Sequence, residues 1–413
     1  MSQSLTAQPG AVPRRSVRAR TLLGPACVAA IAYVDPGNFA TGVESGTRYG
    51  YLLLWVVVTA SAMAVLLQYL SAKLGASTGR SLPEVCRERY PRPVVWGLWL
   101  QAEVVIVMTD LAELIGGAIA LHLLFGLPLL PGALLVTIAS FVLLAIRSIR
   151  TRRFEAVLMM MLAIVAGVFV LLTLRAGPAP GAVASGLVPR FDGDQSLLLA
   201  TGIVGATVMP HAVYLHSALA GEGRYRTRGM HRSVVLRALR IDLGLAMGVA
   251  AVANTAMLVA AAATLHGSGA KPTLHGAYEQ FTVSWAPAAA LFAIALLISG
   301  LASTSVGVYA GEVVMQGFLR RRVPAILRRS LALTIALALF TVGMDPTQAL
   351  VLSQVTLSFG IPFALVPLVL LTRRRDVMGP WVNRPLTTAL SGMASLVVIT
   401  LNALLLSLAL STG

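Results

Sequence analysis

Charged side chains are scarce in this chain, and acidic ones are the scarcest. Only 12% of the 413 residues are charged, with 16 acidic and 32 basic side chains, whereas a soluble domain carries roughly 25%. Cysteine occurs only as Cys27 and Cys86, so no disulfide framework is predicted. Residues 1–20 are polar and basic, without the apolar core of a cleaved signal peptide, and we expect a disordered cytoplasmic tail there.

Long apolar segments take the place of the missing charge. The chain is 57% hydrophobic with a mean hydropathy of +0.81, and a membrane-spanning helix needs about 20 mostly apolar residues. The pattern predicts one all-α membrane domain over 21–413. Its eleven predicted spans cover 22–46, 51–74, 94–121, 124–146, 154–174, 196–220, 238–265, 283–318, 327–343, 347–371 and 386–411.

The positions of the basic residues follow the predicted membrane topology. A net charge of +16 could indicate a nucleic-acid partner, but most basic residues lie in the N-terminal tail and in alternate loops, such as the 6–7 loop from Arg224 to Arg240. By the positive-inside rule these loops are cytoplasmic. We therefore expect no nucleic acid, a cytoplasmic N-terminus and, after eleven crossings, a C-terminus outside.

Two predicted spans are interrupted by proline and polar side chains. Span 1 contains Asp35–Asn38, which reads DPGN, and span 6 contains Met209–His211, which reads MPH. A polar helix break in hydrocarbon is costly unless it lines a site enclosed by protein. The breaks are five spans apart, an odd number, so the second copy of a five-span unit would enter the membrane from the opposite side. This pattern predicts a 5+5 inverted repeat with discontinuous helices 1 and 6 and an accessory helix 11.

Each proline frees a backbone carbonyl, because it has no N–H to donate to the residue four positions earlier. Pro36 frees the carbonyl of Ala32, and Pro210 frees that of Ala206. Gly37 allows the chain to leave helical geometry at little cost. The breaks therefore predict two unpaired oxygens at mid-membrane depth.

Side chains beside these oxygens complete a predicted metal site. Asp35 offers a carboxylate, Asn38 an amide oxygen and Met209 a thioether. Soft sulfur favours transition metals such as Mn²⁺, Fe²⁺, Co²⁺ and Cd²⁺ over Ca²⁺ and Mg²⁺. The alternative for Met209 is that it only fills the core, as most methionines do.

Span 3 carries a row of acids. Glu103, Asp110 and Glu113 share one helix face, and acids within a span are functional by default, often in proton transfer. His211 could titrate near neutral pH, and Arg328–Arg329 could pair with the acids. A purely structural ion-pair network, and a purely topological role for the arginines, remain open.

The two broken motifs resemble the signatures of the Nramp family (natural resistance-associated macrophage protein). Similarity runs from Gly24 to about Leu405, and the pattern is closest to bacterial, Deinococcus-type manganese transporters. Further matching strings are Thr109–Glu113, Tyr214–Ser217, Met315–Phe318 and Leu352–Gln354. The resemblance implies a LeuT-type fold and a proton-coupled importer, a symporter of Mn²⁺ and Fe²⁺ that works by alternating access.

The family also implies roles for single residues. Gln354 matches a ligand that binds the metal in some states, whereas Tyr33 and Gln68 match gate or pocket positions. Glu312 departs from the family pattern, since many members have an amide there. We expect no enzyme activity, no cofactor, a monomer, and location in the bacterial inner membrane.

Other functions stay open at this point. A Mg²⁺ transporter of the same family would be expected to lack the Met209 thioether. A Na⁺-coupled transporter of organic solutes would place no acid such as Asp35 in the break, because it would repel a carboxylate substrate. An intramembrane metalloenzyme is disfavoured because no His-Glu-x-x-His occurs, and a passive channel because broken repeat helices are typical of alternating access.

Overall fold

The computed structural model describes residues 24–149, 151–222 and 231–411, and within these ranges the chain is built from helices. The expected tail over 1–20 and part of the arginine-rich 6–7 loop lie outside the described residues. The helices are α1 (Pro25–Ala32), α2 (Pro36–Tyr49), α3 (Leu54–Thr78), α4 (Leu82–Arg89), α5 (Arg92–Phe125), α6 (Leu129–Ile149), α7 (Thr151–Ala176), α8 (Pro180–Ser185), α9 (Gly193–Thr207), α10 (Pro210–Gly221), α11 (Arg232–Leu265), α12 (Leu274–Ser284), α13 (Ala286–Leu319), α14 (Ala325–Thr341), α15 (Pro346–Thr372), α16 (Arg375–Met378) and α17 (Pro385–Ser411).

Within the described ranges, eight helices or helix pairs are long and apolar enough to cross a membrane. They are α3, α5, α7, the α9–α10 pair, α11, α13, α15 and α17. The other three predicted spans coincide with shorter helices, namely the α1–α2 pair, α6 and α14. Every predicted span thus overlaps a helix, and the count of eleven crossings stays a prediction.

Both predicted breaks interrupt their helices at the prolines. α1 ends at Ala32, three residues are non-helical, and α2 begins at Pro36. In the same way α9 ends at Thr207 and α10 begins at Pro210. Proline is tolerated at the first helical position because the N–H it lacks would have no partner there.

Neighbouring helices hold the broken segment of α1 in place. The Asp242 carboxylate of α11 accepts hydrogen bonds from Gly24 N at 3.0 Å and Ala26 N at 3.1 Å, which caps the start of α1. At its end, Asn254 Nδ2 donates to Tyr33 O at 2.7 Å and Ser299 Oγ donates to Val34 O at 2.6 Å. Carbonyls left without helical partners are thereby satisfied inside the bundle, as hydrocarbon requires.

Glycine lets other helices approach the break closely. A Cβ at Gly116 of α5 would collide with the ring of Pro36, which starts α2. A Cβ at Gly75 of α3 would collide with the Ser217 carbonyl of α10. Small residues at helix contacts are typical of membrane bundles, because dispersion contacts replace the hydrophobic effect there.

Candidate functional site

Asp35 is fully buried at the start of α2, where its side chain caps the helix. Its Oδ1 accepts from the backbone N–H of Asn38 at 2.8 Å and from Asn38 Nδ2 at 2.8 Å. Caps of this kind satisfy a helix N–H that has no partner in its own helix. The sequence DPGN therefore both ends α1 and fixes a carboxylate at the break.

Asn38 joins the two breaks. Its Nδ2 also donates to the carbonyl of Ala206 at 3.0 Å, and Thr207 Oγ1 donates to its Oδ1 at 3.5 Å. The Ala206 carbonyl is one of the two that proline was predicted to free. Three predicted ligands, Asp35, Asn38 and Ala206, thus lie in one hydrogen-bonded group.

Met209 is completely buried in the second break, as the residue that precedes Pro210 at the start of α10. Ala32, whose carbonyl was predicted to be freed by Pro36, is buried at the end of α1. Both residues lie at the breaks predicted for them, and their role as ligands stays a prediction.

Gln354 of α15 reaches the same group from a third helix. Its Nε2 donates to Asp35 Oδ2 at 3.5 Å, while its buried Oε1 has no hydrogen-bond partner among the described residues. A Cβ at Gly37 would overlap the Gln354 side chain, and one at Gly205 would overlap its carbonyl. Gly37 therefore also makes room for Gln354, a packing role that sequence reasoning missed.

The candidate metal ligands carry little formal charge. Among the residues that the structure describes, no three of His, Cys, Asp and Glu cluster to hold a metal. The site instead combines one carboxylate with amide and carbonyl oxygens, one of them, Gln354 Oε1, unpaired. Unpaired oxygens in a dry interior are costly, and a cation would offset that cost.

Asp110 and Glu113 form a buried acidic pair on α5. Arg329 of α14 places Nη2 4.0 Å from Asp110 Oδ1 and 4.0 Å from Glu113 Oε2, and donates to the Thr304 carbonyl at 3.3 Å. Gly307 of α13 faces the pair, since a Cβ there would lie 3.1 Å from both Glu113 oxygens. The structure thus brings together three of the residues predicted for a proton pathway.

His211 and Glu103, two further residues predicted for the proton pathway, are both buried or partly buried on or near α5 but, among the described residues, take no part in the Arg329 ion pairs. His211 Nδ1 is 3.3 Å from Thr109 Oγ1, next to Asp110 in the chain. Within the described ranges, Glu103 Oε1 is buried without a hydrogen-bond partner, and so are Arg328 Nη1 and Nη2.

Tyr33 and Gln68 form a separate series of hydrogen bonds that joins the first break to α3 and α10. Gln68 Nε2 donates to Tyr33 OH at 2.6 Å, and Gln68 Oε1 is 2.7 Å from His216 Nδ1. The predicted gate residues are therefore in contact, with His216 of α10 as a further member. Thr207, which sequence reasoning missed, shows the one signal that could have found it, a polar residue inside an apolar span.

Comparison with known proteins agrees with these features. The model of the natural resistance-associated macrophage protein-like family matches residues 26–408. The divalent metal cation transporter MntH of Mycobacterium tuberculosis strain H37Rv is 51% identical over 390 residues, covering 94% of this chain and 91% of that one. The protein of the same name from Deinococcus radiodurans is 47% identical and covers 98% and 95%.

Solved structures agree on the fold. A crystal structure of a mutant Eremococcus coleocola manganese transporter superposes with a TM-score of 0.83 at 30% identity, covering 95% of this chain and 87% of that one. Mhp1, a nucleobase-cation-symport-1 family transporter, gives a TM-score of 0.62 at 15% identity, which shows the fold alone. The predicted all-α, LeuT-type fold is confirmed, and the relatives are named as transporters, as expected of a protein that is not an enzyme. The chain belongs to the Nramp family.

Proposed function

We propose that this protein imports divalent transition metal ions, with Mn²⁺ and Fe²⁺ preferred, across the inner membrane of a bacterium. The relatives named as divalent metal cation transporters, and the neighbour named as a manganese transporter, support the substrate class. The observation that carries the proposal is the group formed by Asp35, Asn38 and Ala206 across the two helix breaks.

The position of the Asn38 amide supports metal binding at the two breaks. Its NH₂ group donates to the Asp35 carboxylate and to the Ala206 carbonyl, so a positive dipole lies between two oxygens. A divalent cation takes that position when the amide turns its oxygen inward. Asp35, Asn38, Met209 and the carbonyls of Ala32 and Ala206 then bind the ion, and Gln354 joins them in some states.

Selectivity depends on Met209. Ca²⁺ and Mg²⁺ require oxygen ligands, whereas a thioether binds Mn²⁺, Fe²⁺, Co²⁺ and Cd²⁺ better than the hard cations. A buried sulfur therefore disfavours the abundant ions without added charge.

The proposed proton path runs through Asp110 and Glu113. Both acids lie 4.0 Å from the Arg329 guanidinium, so two carboxylates share the charge of this arginine. A proton released to or taken from this pair, with His211, Glu103 and Arg328 as further members of the path, couples metal import to proton movement.

Alternating access uses the breaks as hinges. The short helices on either side of residues 33–35 and 208–209 can tilt separately, whereas a continuous helix could not. The Tyr33–Gln68–His216 chain links α1, α3 and α10 and serves as a gate that opens when these helices separate. The protein acts as a monomer with its N-terminus in the cytoplasm.

The test is Mn²⁺ uptake into proteoliposomes in competition with Ca²⁺ and Mg²⁺. We expect Asp35→Asn to abolish uptake, and Met209→Ala to retain uptake while losing discrimination against Ca²⁺. Met257→Ala is the matched control, since Met257 is a buried methionine on α11 outside the site. A Met209→Ala protein that rejects Ca²⁺ as well as the parent does would contradict the role of the sulfur. Preferential Mg²⁺ uptake by the parent would instead favour a Mg²⁺ transporter.

A further inference from the structure

A large apolar cavity lies between α3, α7, α8 and α11, away from the two helix breaks. Its volume is about 740 Å³, and Val58, Ala62 and Val65 of α3 face Gly248 and Val252 of α11 across it. Val58 and Val252 are 42% and 51% exposed, so the cavity opens on the outer surface of the bundle. In a membrane that surface faces lipid.

The glycines of the cavity wall do not serve contacts between helices. A Cβ at Gly244 or at Gly248 would meet no atom within 4 Å. At Gly46 and Gly75, in contrast, a Cβ would meet neighbouring backbone. Glycine costs a helix about 1 kcal/mol relative to alanine. Gly244 and Gly248 therefore keep open a space that the described residues do not fill.

A basic cluster continues the groove at one end. Tyr69 and Lys73 follow Val65 by four and eight residues on the same face of α3, and Arg240 precedes Gly244 by four residues on α11. The guanidinium of Arg240 and Nζ of Lys73 each lie 5.8 Å from the centre of the Tyr69 ring. This is the end that the positive-inside rule predicts to be cytoplasmic.

The cluster has positive charge without an acidic partner. Arg232 stacks at 5.9 Å from the centre of the Trp381 ring, and buried Lys73 donates to the neutral side chain of Asn383 at 2.5 Å. Within the parts of the chain that the structure describes, none of Arg232, Arg240 and Lys73 forms an ion pair. Tyrosine and tryptophan beside basic residues mark the headgroup level of a membrane, where such clusters bind anionic lipid.

We propose that this groove binds an anionic phospholipid. Its phosphate lies at Arg232 and Arg240, beside the charge of Lys73, and one acyl chain extends into the cavity. One leaflet of the hydrocarbon core is about 15 Å deep, which corresponds to about ten residues of helix. Ten residues from Lys73 towards the start of α3 lead to Met63. Met63 lies between Ala62 and Val65, which line the cavity. The proposal is independent of the metal site.

The charge of the headgroup is tested with the purified, delipidated protein. Native mass spectrometry would compare phosphatidylglycerol with phosphatidylcholine of identical acyl chains. We expect preferential binding of phosphatidylglycerol, and a loss of about thirtyfold in that affinity in Arg232→Gln/Arg240→Gln, since each basic residue near a membrane surface contributes roughly fivefold. Arg321→Gln/Arg322→Gln, a basic pair elsewhere on the same predicted face, is the control and should bind as the parent does.

The cavity is tested by filling it. Gly248→Leu places a side chain in the open space, and we expect it to lower the binding of both lipids. Gly392→Leu on α17 is the matched control, because a Cβ there also meets nothing within 4 Å. Unchanged phosphatidylglycerol binding in the arginine variant or in Gly248→Leu would overturn the proposal. A dimeric parent that becomes a monomer in Gly248→Leu, with lipid binding unchanged, would also overturn the proposal. In that case the groove would hold a second copy of the chain.

Discussion

Asn38 and Ala206, which are 168 residues apart in the chain, are joined by a hydrogen bond of 3.0 Å from Nδ2 to the carbonyl oxygen. The same nitrogen lies 2.8 Å from Asp35 Oδ1. One NH₂ group therefore donates hydrogen bonds both to a carboxylate of the first break and to a carbonyl of the second. A metal ion bound by the same two oxygens would have to displace it, so we expect Asn38 to change its orientation when metal binds.

Substitution of Asn38 tests this arrangement. Asn38→Ala removes both a predicted ligand and the link between the breaks, and we expect Mn²⁺ affinity to fall at least tenfold, since even outer-shell partners of a metal are typically worth about 10–100-fold. Isothermal titration with Mn²⁺ measures the change. Thr201→Val is the control, because Thr201 Oγ1 bonds only within α9, to the Leu197 carbonyl. Undiminished affinity in Asn38→Ala would exclude Asn38 as a ligand.

Gly205 makes the close contact between α9 and α15. A Cβ there would overlap the carbonyl of Gln354, so we expect Gly205→Ala to separate the helices and to destabilise the protein by about 1–3 kcal/mol, as overpacking does. Gly392→Ala, with open space around its Cβ, should instead raise stability by up to about 1 kcal/mol through helix propensity. Thermal unfolding in detergent compares the two. Equal unfolding temperatures would contradict the close packing.

Asp110 is the acid whose neutralisation should separate metal movement from proton movement. In Asp110→Asn, Arg329 keeps Glu113 as its ion-pair partner, but one of the two acids proposed to accept a proton is gone. We expect metal-driven proton influx into vesicles to be lost, as followed with a pH-sensitive dye. Glu279→Gln, at an exposed acid on α12, should leave the influx unchanged. Normal proton influx in Asp110→Asn would refute the assignment.

The native cysteines should be unreactive towards thiol reagents in the folded protein. Cys27 and Cys86 are both buried, and burial raises the pKa of the Cys86 thiol on the short helix α4, which keeps it protonated at neutral pH. We expect maleimide to label the folded protein far more slowly than the denatured one. Rapid labelling of the folded protein would contradict the burial of these thiols.

Because the native thiols should not react, single introduced cysteines can report the orientation of the chain in the membrane. An impermeant maleimide applied to whole cells should label Arg190→Cys, in a predicted outer loop, and spare Arg321→Cys, in a predicted inner loop. Both positions are exposed in the structure. The reverse pattern would show that the positive-inside assignment is wrong for this chain.

Several structural features could be predicted from local sequence because their causes are local. Proline removes the N–H of its own residue, so the ends of α1 and α9 follow from Pro36 and Pro210 alone. The acidic row on α5 follows from helical spacing. Partners from distant segments could not be predicted in this way, since nothing in the sequence relates Asn38 to Ala206 or Gly205 to the carbonyl of Gln354.

The sequence by itself determined that this protein is helical, belongs in a membrane and is interrupted at two points, because hydropathy, charge placement and proline act over short stretches of chain. Only the tertiary structure decided which groups meet at those points. Asn38 is bonded across the breaks, Arg329 faces two acids at once, and Gly244 and Gly248 border open space. These relationships depend on how helices far apart in sequence pack together, and packing is a property of the whole bundle.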